Sequence, residues 1–220
     1  MAVCKNNILG RVSGKLGNLI LRRRYGKDII YSKPDAYNIS YSDKAIAGRA
    51  KFANTVKLAR LINSNLELSS IWKRAELKGT NSYQKIIKLN SRFTTVEGLS
   101  LKNLITPPGI AASSVLLEFE RSGISVRLEC SIKSTSLKAT LYILLCPISE
   151  GKSPNLSLLI SWDTLINEQF IKGTAFYSPL IKSYLKDSLK IIFLTTFVFT
   201  KSDEELIDWT TTSSFEITNP

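Results

Sequence analysis

The stretch TPPGIAASSVLLEFERSGISVRLEC, Thr106–Cys130, is where the chain changes character. Pro107-Pro108-Gly109 interrupts any regular element, because proline lacks the backbone donor and glycine leaves the backbone free to turn. After it, Val115, Leu117 and Phe119 recur at every second position, Arg121-Ser122-Gly123 reads as a turn, and Val126, Leu128 and Cys130 recur again. A period of two places alternate side chains on one face of a strand. Leu137 to Cys146, Leu156 to Trp162, Leu189 to Thr200 and Leu206 to Ile217 supply further β-rich segments, separated by Pro, Gly, Ser and Asp. Short strands at this spacing predict an antiparallel β-sandwich over residues 105–220. Strands do not alternate with helices here, as a doubly wound parallel sheet would require.

Upstream the period is helical. Ala45, Phe52, Val56, Ala59, Ile62 and Leu66 fall on one helix face, with Ser42 placed to cap the first turn ahead of Asp43. A break is expected between Asn63 and Ser70, then a second helix carrying Ile71, Trp72 and Ala75. Thr80 or Asn81 would cap a third, carrying Tyr83, Ile86, Ile87 and Asn90. Earlier still, LILRRRYGKDIIY (Leu19–Tyr31) reads as two extended segments around Tyr25-Gly26-Lys27-Asp28, with glycine supplying the positive φ of a tight hairpin. Gly10, Gly14 and Gly17 before it allow bends, and Pro34 ends the extended run. The expected architecture is therefore α+β: a basic β-hairpin plus helical module over residues 1–104, followed by the sandwich.

The charge is segregated. Of 30 basic residues, 19 precede residue 93, but only 5 of the 18 acidic ones do, while the whole chain carries +12. A local excess of cations attracts phosphates more strongly than a diluted one. The same excess would also solubilise the chain or complement an acidic neighbour. Hydrophobic residues at 44% and charged residues at 22% are ordinary globular usage.

The chain has no histidine, which removes histidine-dependent triads and the commonest metal ligand. Cys4, Cys130 and Cys146 form no CxxC pair, and their odd number argues against a disulfide framework. Gly10-Arg11-Val12-Ser13-Gly14-Lys15-Leu16 fails as a phosphate-binding P-loop, because the glycine spacing is one residue short and Leu16 replaces the metal-binding hydroxyl. Ser70-Ile71-Trp72-Lys73 and Ser149-Glu150-Gly151-Lys152 match a Ser-x-x-Lys spacing without its companion motifs. Asp203-Glu204-Glu205 reads as a hairpin turn, not as facing carboxylates. No catalytic residue, metal site or cofactor is expected. The longest apolar run, Ile191 to Phe199, is about half of a membrane span. With no signal-peptide-like run at MAVCKNNILGRV, a cytoplasmic protein is expected, or a virion component if the chain is a particle subunit.

The remaining constellation is cationic. Arg11, Lys15, Arg22, Arg23, Arg24, Lys27 and Lys33, interleaved with Tyr25 and Tyr31, suit phosphate oxygens and base faces. Arg22 and Arg24 share one face of a strand and Arg23 takes the other, so only a subset can meet one partner. The competing reading is an edge hairpin whose cations prevent edge-to-edge pairing. On the first helix Arg49, Lys57 and Arg60 fall within an arc of about 80° beside the apolar stripe, either as a second phosphate-binding patch or as a solvated flank.

Gly10, Ser13-Gly14-Lys15-Leu16-Gly17-Asn18, Gly26-Lys27, Lys33-Pro34 and Arg49-Ala50-Lys51-Phe52 together resemble an uncharacterised family of Bacteroidota proteins, a domain of unknown function patterned GxxSGKxGxxV…GK…P…RxxF. Asn81, Asn90 and Pro108-Gly109 fall where that family has asparagines and a turn. Tyr31 stands near a usual arginine and Ala45 near a usual glutamine. The resemblance implies a helical middle and a β-rich C-terminal half but carries no activity. Similar glycine-lysine hairpins in phage-like proteins imply a structural role. The expectation is a non-enzymatic binding or assembly protein whose basic module engages a polyanion, nucleic acid first, and whose β-rich half contacts proteins. The alternative is a phage-like structural subunit, a homo-oligomer that uses the N-terminal arm for assembly.

Overall fold

Extended and helical periods occupy separate parts of the chain, and the elements follow them. A computed structural model describes residues 2–4, 14–24, 26–33, 39–111, 114–119, 123–129, 137–148, 158–166, 171–176, 190–201 and 205–218. They form two compact units, Met1–Ser42 and Asp43–Pro220. The fold is α+β, and every strand pairing in both sheets is antiparallel.

In the first unit, β1 (Ala2–Cys4), β2 (Gly14–Leu16), β3 (Leu19–Arg24) and β4 (Lys27–Ser32) form a sheet in the order β1-β4-β3-β2. The hairpin expected around Tyr25-Gly26 is its centre, with Arg24 paired to Lys27. Lys27 and Asp28, expected at the turn, already belong to β4. Gly26 has φ +76° and Gly17, in the turn between β2 and β3, has φ +57°. Both lie in the left-handed region, where a Cβ costs about 1–2 kcal/mol. Lys33 N donates to Asn18 O at 2.6 Å, fastening the end of β4 to that turn.

The second unit begins with α1 (Asp43–Ser64), α2 (Leu66–Arg74) and α3 (Ser82–Asn90). The expected break shrinks to one residue, Asn65, whose side chain accepts from Leu68 N at 3.0 Å and so caps α2. Asn81 caps α3 in the same way, accepting from Gln84 N at 2.8 Å.

Beyond them lie β5 (Ser114–Phe119), β6 (Gly123–Glu129), β7 (Leu137–Ile148), β8 (Leu158–Ile166), β9 (Ile171–Phe176), β10 (Lys190–Lys201), β11 (Leu206–Trp209) and β12 (Ser213–Thr218). They hydrogen-bond as one eight-stranded sheet in the order β11-β10-β7-β8-β9-β6-β5, with β12 also on β10. The join lies in β8, whose residues Leu158 to Thr164 pair with β7 and Leu165-Ile166 with β9. β8 thus passes from the strands around β7 and β10 to the strands β9, β6 and β5.

β7 and β10 pair along their whole length, Lys190 with Ile148 through Lys201 with Leu137. On one face Tyr142, Leu144, Cys146, Ile192, Leu194 and Val198 share a core with Leu58, Ile62, Leu68, Ile71, Trp72, Ile86, Leu99 and Ile105. On the other face Leu141, Ile143, Leu145, Phe193, Phe197 and Phe199 are also buried. Burial on both sides removes the polar alternation and leaves continuous apolar runs.

The boundary expected at residue 104/105 falls inside this unit. Trp72 Nε1 donates to Ile105 O at 2.7 Å, and Thr106 Oγ1 bonds to Thr196 Oγ1 at 3.0 Å and Thr210 O at 2.9 Å. Asn90, fully buried, accepts from Leu104 N at 2.7 Å and donates to Leu104 O at 3.1 Å. The segment between helices and strands is thereby bound to both.

Gly109 lies where a Cβ would meet Trp209 O at 2.4 Å and Cδ1 at 2.6 Å, whereas a Cβ on Gly48 in α1 meets nothing within 4 Å. Gly109→Ala is therefore expected to destabilise by about 1–3 kcal/mol. Gly48→Ala is expected to stabilise by about 0.5–1 kcal/mol through helix propensity. Denaturant unfolding checks both; a neutral Gly109→Ala would contradict the close approach.

Candidate nucleic-acid interface

The register of the four-stranded sheet sorts its side chains. Lys15 pairs with Ile20, Ile20 with Tyr31 and Arg22 with Ile29. Partners opposite one another share a face, as do alternate residues along a strand. Lys15, Ile20, Arg22, Lys27, Ile29 and Tyr31 therefore occupy one face, and Leu16, Leu19, Leu21, Arg23, Asp28 and Ile30 the other.

On the first face Lys15, Arg22 and Lys27 are exposed, and Ile20, Ile29 and Tyr31 are partly buried. Among the described residues none of the three cations has an ion-pair partner. On the second face Leu21 is buried, and Arg23 Nε lies 3.9 Å from Asp28 Oδ1. An exposed pair at that distance adds little stability, but it lowers the net charge of its face. The separation of Arg22 from Arg23 follows strand parity. Lys15 and Lys27 join Arg22 through the register, a long-range relation that strand parity alone does not contain.

Lys33 is exposed just beyond β4, and the backbone of Arg24 pairs with Lys27. Arg11 and Tyr25 lie outside the described residues, as do Pro34, Cys130, Ser149-Glu150-Gly151-Lys152 and Asp203-Glu204.

The second cationic patch is in the other unit. Asn54, Thr55, Leu58, Ala59 and Ile62 are the buried residues of α1. At about 100° per residue, Arg49, Lys57 and Arg60 centre on the opposite side of the helix. Of the expected stripe, Ala59 and Ile62 are buried, Ala45 and Val56 are partly buried, and Phe52 and Leu66 are 56% and 87% exposed. The rest of the buried line is masked in the sequence by two polar residues, one bonded to a distant segment and one within the helix. Asn54 Nδ2 donates to Val96 O at 3.1 Å, and Thr55 Oγ1 to Lys51 O at 3.0 Å. All three cations of the patch are exposed.

Part of the early positive charge is structural. Lys85 Nζ donates to Ala75 O at 2.6 Å and Lys73 O at 3.0 Å, capping the carbonyl end of α2. Arg74 Nη1 donates to Leu206 O at 2.5 Å, tying α2 to β11. Ser70 Oγ donates to Glu67 O at 2.7 Å, which occupies the hydroxyl of the Ser-x-x-Lys match. Gly14 to Leu16 form a strand that a turn joins to another strand, which is not the strand-loop-helix order of a P-loop.

Among the described residues no group of three or more His, Cys, Asp or Glu gathers as a metal site would require. None of their helices is long and apolar enough to cross a membrane. No protein-family model matches the chain, and no curated protein matches it.

Proposed function

We propose that this chain is a non-enzymatic binding protein whose Met1–Ser42 unit engages a polyanion, nucleic acid above all, through phosphate contacts. The observation that supports this reading is the sorting of charge across the four-stranded sheet. Lys15, Arg22 and Lys27 are exposed on one face, while Arg23 sits on the other beside Asp28. Cations that serve only to deter edge pairing need not gather on one face. Arg49, Lys57 and Arg60 offer a second phosphate-binding patch in the other unit.

The second reading, a subunit of a phage-like assembly, is favoured by the first half of α1. None of residues 43–53 is buried, while Ile46 is 48% and Phe52 56% exposed. A helical segment of that length gains little stability without a partner surface. A discrete oligomer in nuclease-treated protein, dissociated by Phe52→Ser, is the result that favours assembly; a concentration-independent monomer rejects it.

Fluorescence anisotropy with a labelled mixed-sequence duplex and its single strand, titrated at several salt concentrations, tests the polyanion reading. Three phosphate contacts predict a log-log salt slope near about −3 for duplex and about −2 for single strand. Arg22→Ala is expected to reduce the slope by about 1. Arg23→Ala is expected to leave it unchanged. A slope near zero, or equal losses from the two substitutions, would overturn the assignment.

A further inference from the structure

The cationic face of the first unit has an apolar centre. Across the sheet, Lys15, Ile20 and Tyr31 form one row and Arg22 and Ile29 the next, with Lys27 beyond Ile29 on β4. Successive rows on one face are about 6.6–6.8 Å apart, and neighbouring strands about 4.8 Å. Ile20, Tyr31 and Ile29 are therefore contiguous, each partly accessible, and bordered by Lys15, Arg22 and Lys27.

This composition discriminates between forms of nucleic acid. A duplex presents charged, hydrated phosphates and sugars, and keeps its base faces stacked inside. Pressed against this face it would satisfy the cations but leave the apolar centre facing a hydrated backbone, a mismatch that costs desolvation without a compensating contact. A single strand turns flat base faces outward while its phosphates remain within reach of cations on both sides. Aromatic side chains are the usual platforms for such bases, and the stacking tolerates any sequence because every base has a π-face. The aliphatic neighbours add apolar area around the ring.

We infer that the ligand of this face is single-stranded nucleic acid, with a base stacked on Tyr31 between Ile20 and Ile29, and with Lys15, Arg22 and Lys27 on the phosphates. The inference rests on the phosphate-binding reading above and adds to it the form of the ligand. It predicts tolerance of base sequence, because stacking on Tyr31 uses a π-face that every base has.

The experiment compares a labelled single strand, the duplex of the same sequence and inorganic polyphosphate, a base-free polyanion, against the full chain at fixed salt. The single strand is expected to bind at least about 10-fold more tightly than the duplex. Tyr31→Ala should weaken the single strand by about 5- to 100-fold and leave duplex and polyphosphate within about 2-fold. Tyr31→Leu, which keeps an apolar side chain in the sheet but removes the ring, should show the same selective loss, and it replaces the alanine variant if that unfolds the unit. Equal affinity for single strand and duplex, with Tyr31→Leu affecting neither, overturns the inference while leaving phosphate binding intact. Absence of binding to all three probes overturns both.

Discussion

The second unit depends on the pairing of β7 with β10. Twelve residues of β10 match twelve of β7 without a register shift, and residues 191–200 are all buried. Such a pair holds its backbone polar groups within the ladder, so the apolar side chains on both faces are free to make contacts. One face receives the helices through Leu58, Ile62, Trp72 and Ile86. The far edge of β10 is completed by β12 over Lys190 to Thr195 and by β11 over Val198 to Thr200. Thr196, at the gap between those two, bonds to Thr210 O at 2.9 Å and so closes it with a side chain. The helices, the strands and the segment linking them form one compact unit around this pair.

The first unit works by a different economy. Its strands are three to six residues long, and Leu21 is its buried hydrophobic side chain among the described residues. Two glycine turns and strand register, more than a core, fix which side chains share a face. The outcome is a sheet with unequal faces, one bearing exposed cations around Tyr31, the other bearing Leu21, Ile30 and the Arg23–Asp28 pair.

Local signals were legible in the chain. Gly26 marked the hairpin, Thr80 or Asn81 the start of α3, where Asn81 is the cap, and the period-two run from Val115 marked β5. The helix-to-strand transition at Pro107-Pro108-Gly109 was equally plain, but it proved to lie within one core, since sequence shows where a period changes and not which elements then share buried contacts. The three-residue strands β1 and β2 were too short to show a period. The inward face of α1 was legible at Ala59 and Ile62 but hidden at Asn54 and Thr55, which are buried through hydrogen bonds, while Phe52 remains outside. At the candidate interface, parity separated Arg22 from Arg23. The grouping of Lys15, Arg22, Lys27 and Tyr31 needed the pairing of three strands.

Methyl-resolved NMR during titration with a single-stranded oligonucleotide tests the two-faced sheet most directly, because Ile29 and Ile30 are adjacent in sequence and opposite in face. The account predicts that the Ile20 and Ile29 methyls and the Tyr31 ring shift on binding while those of Ile30 and Leu21 stay in place. Equal shifts at Ile29 and Ile30, or shifts confined to Ile30 and Leu21, would contradict it.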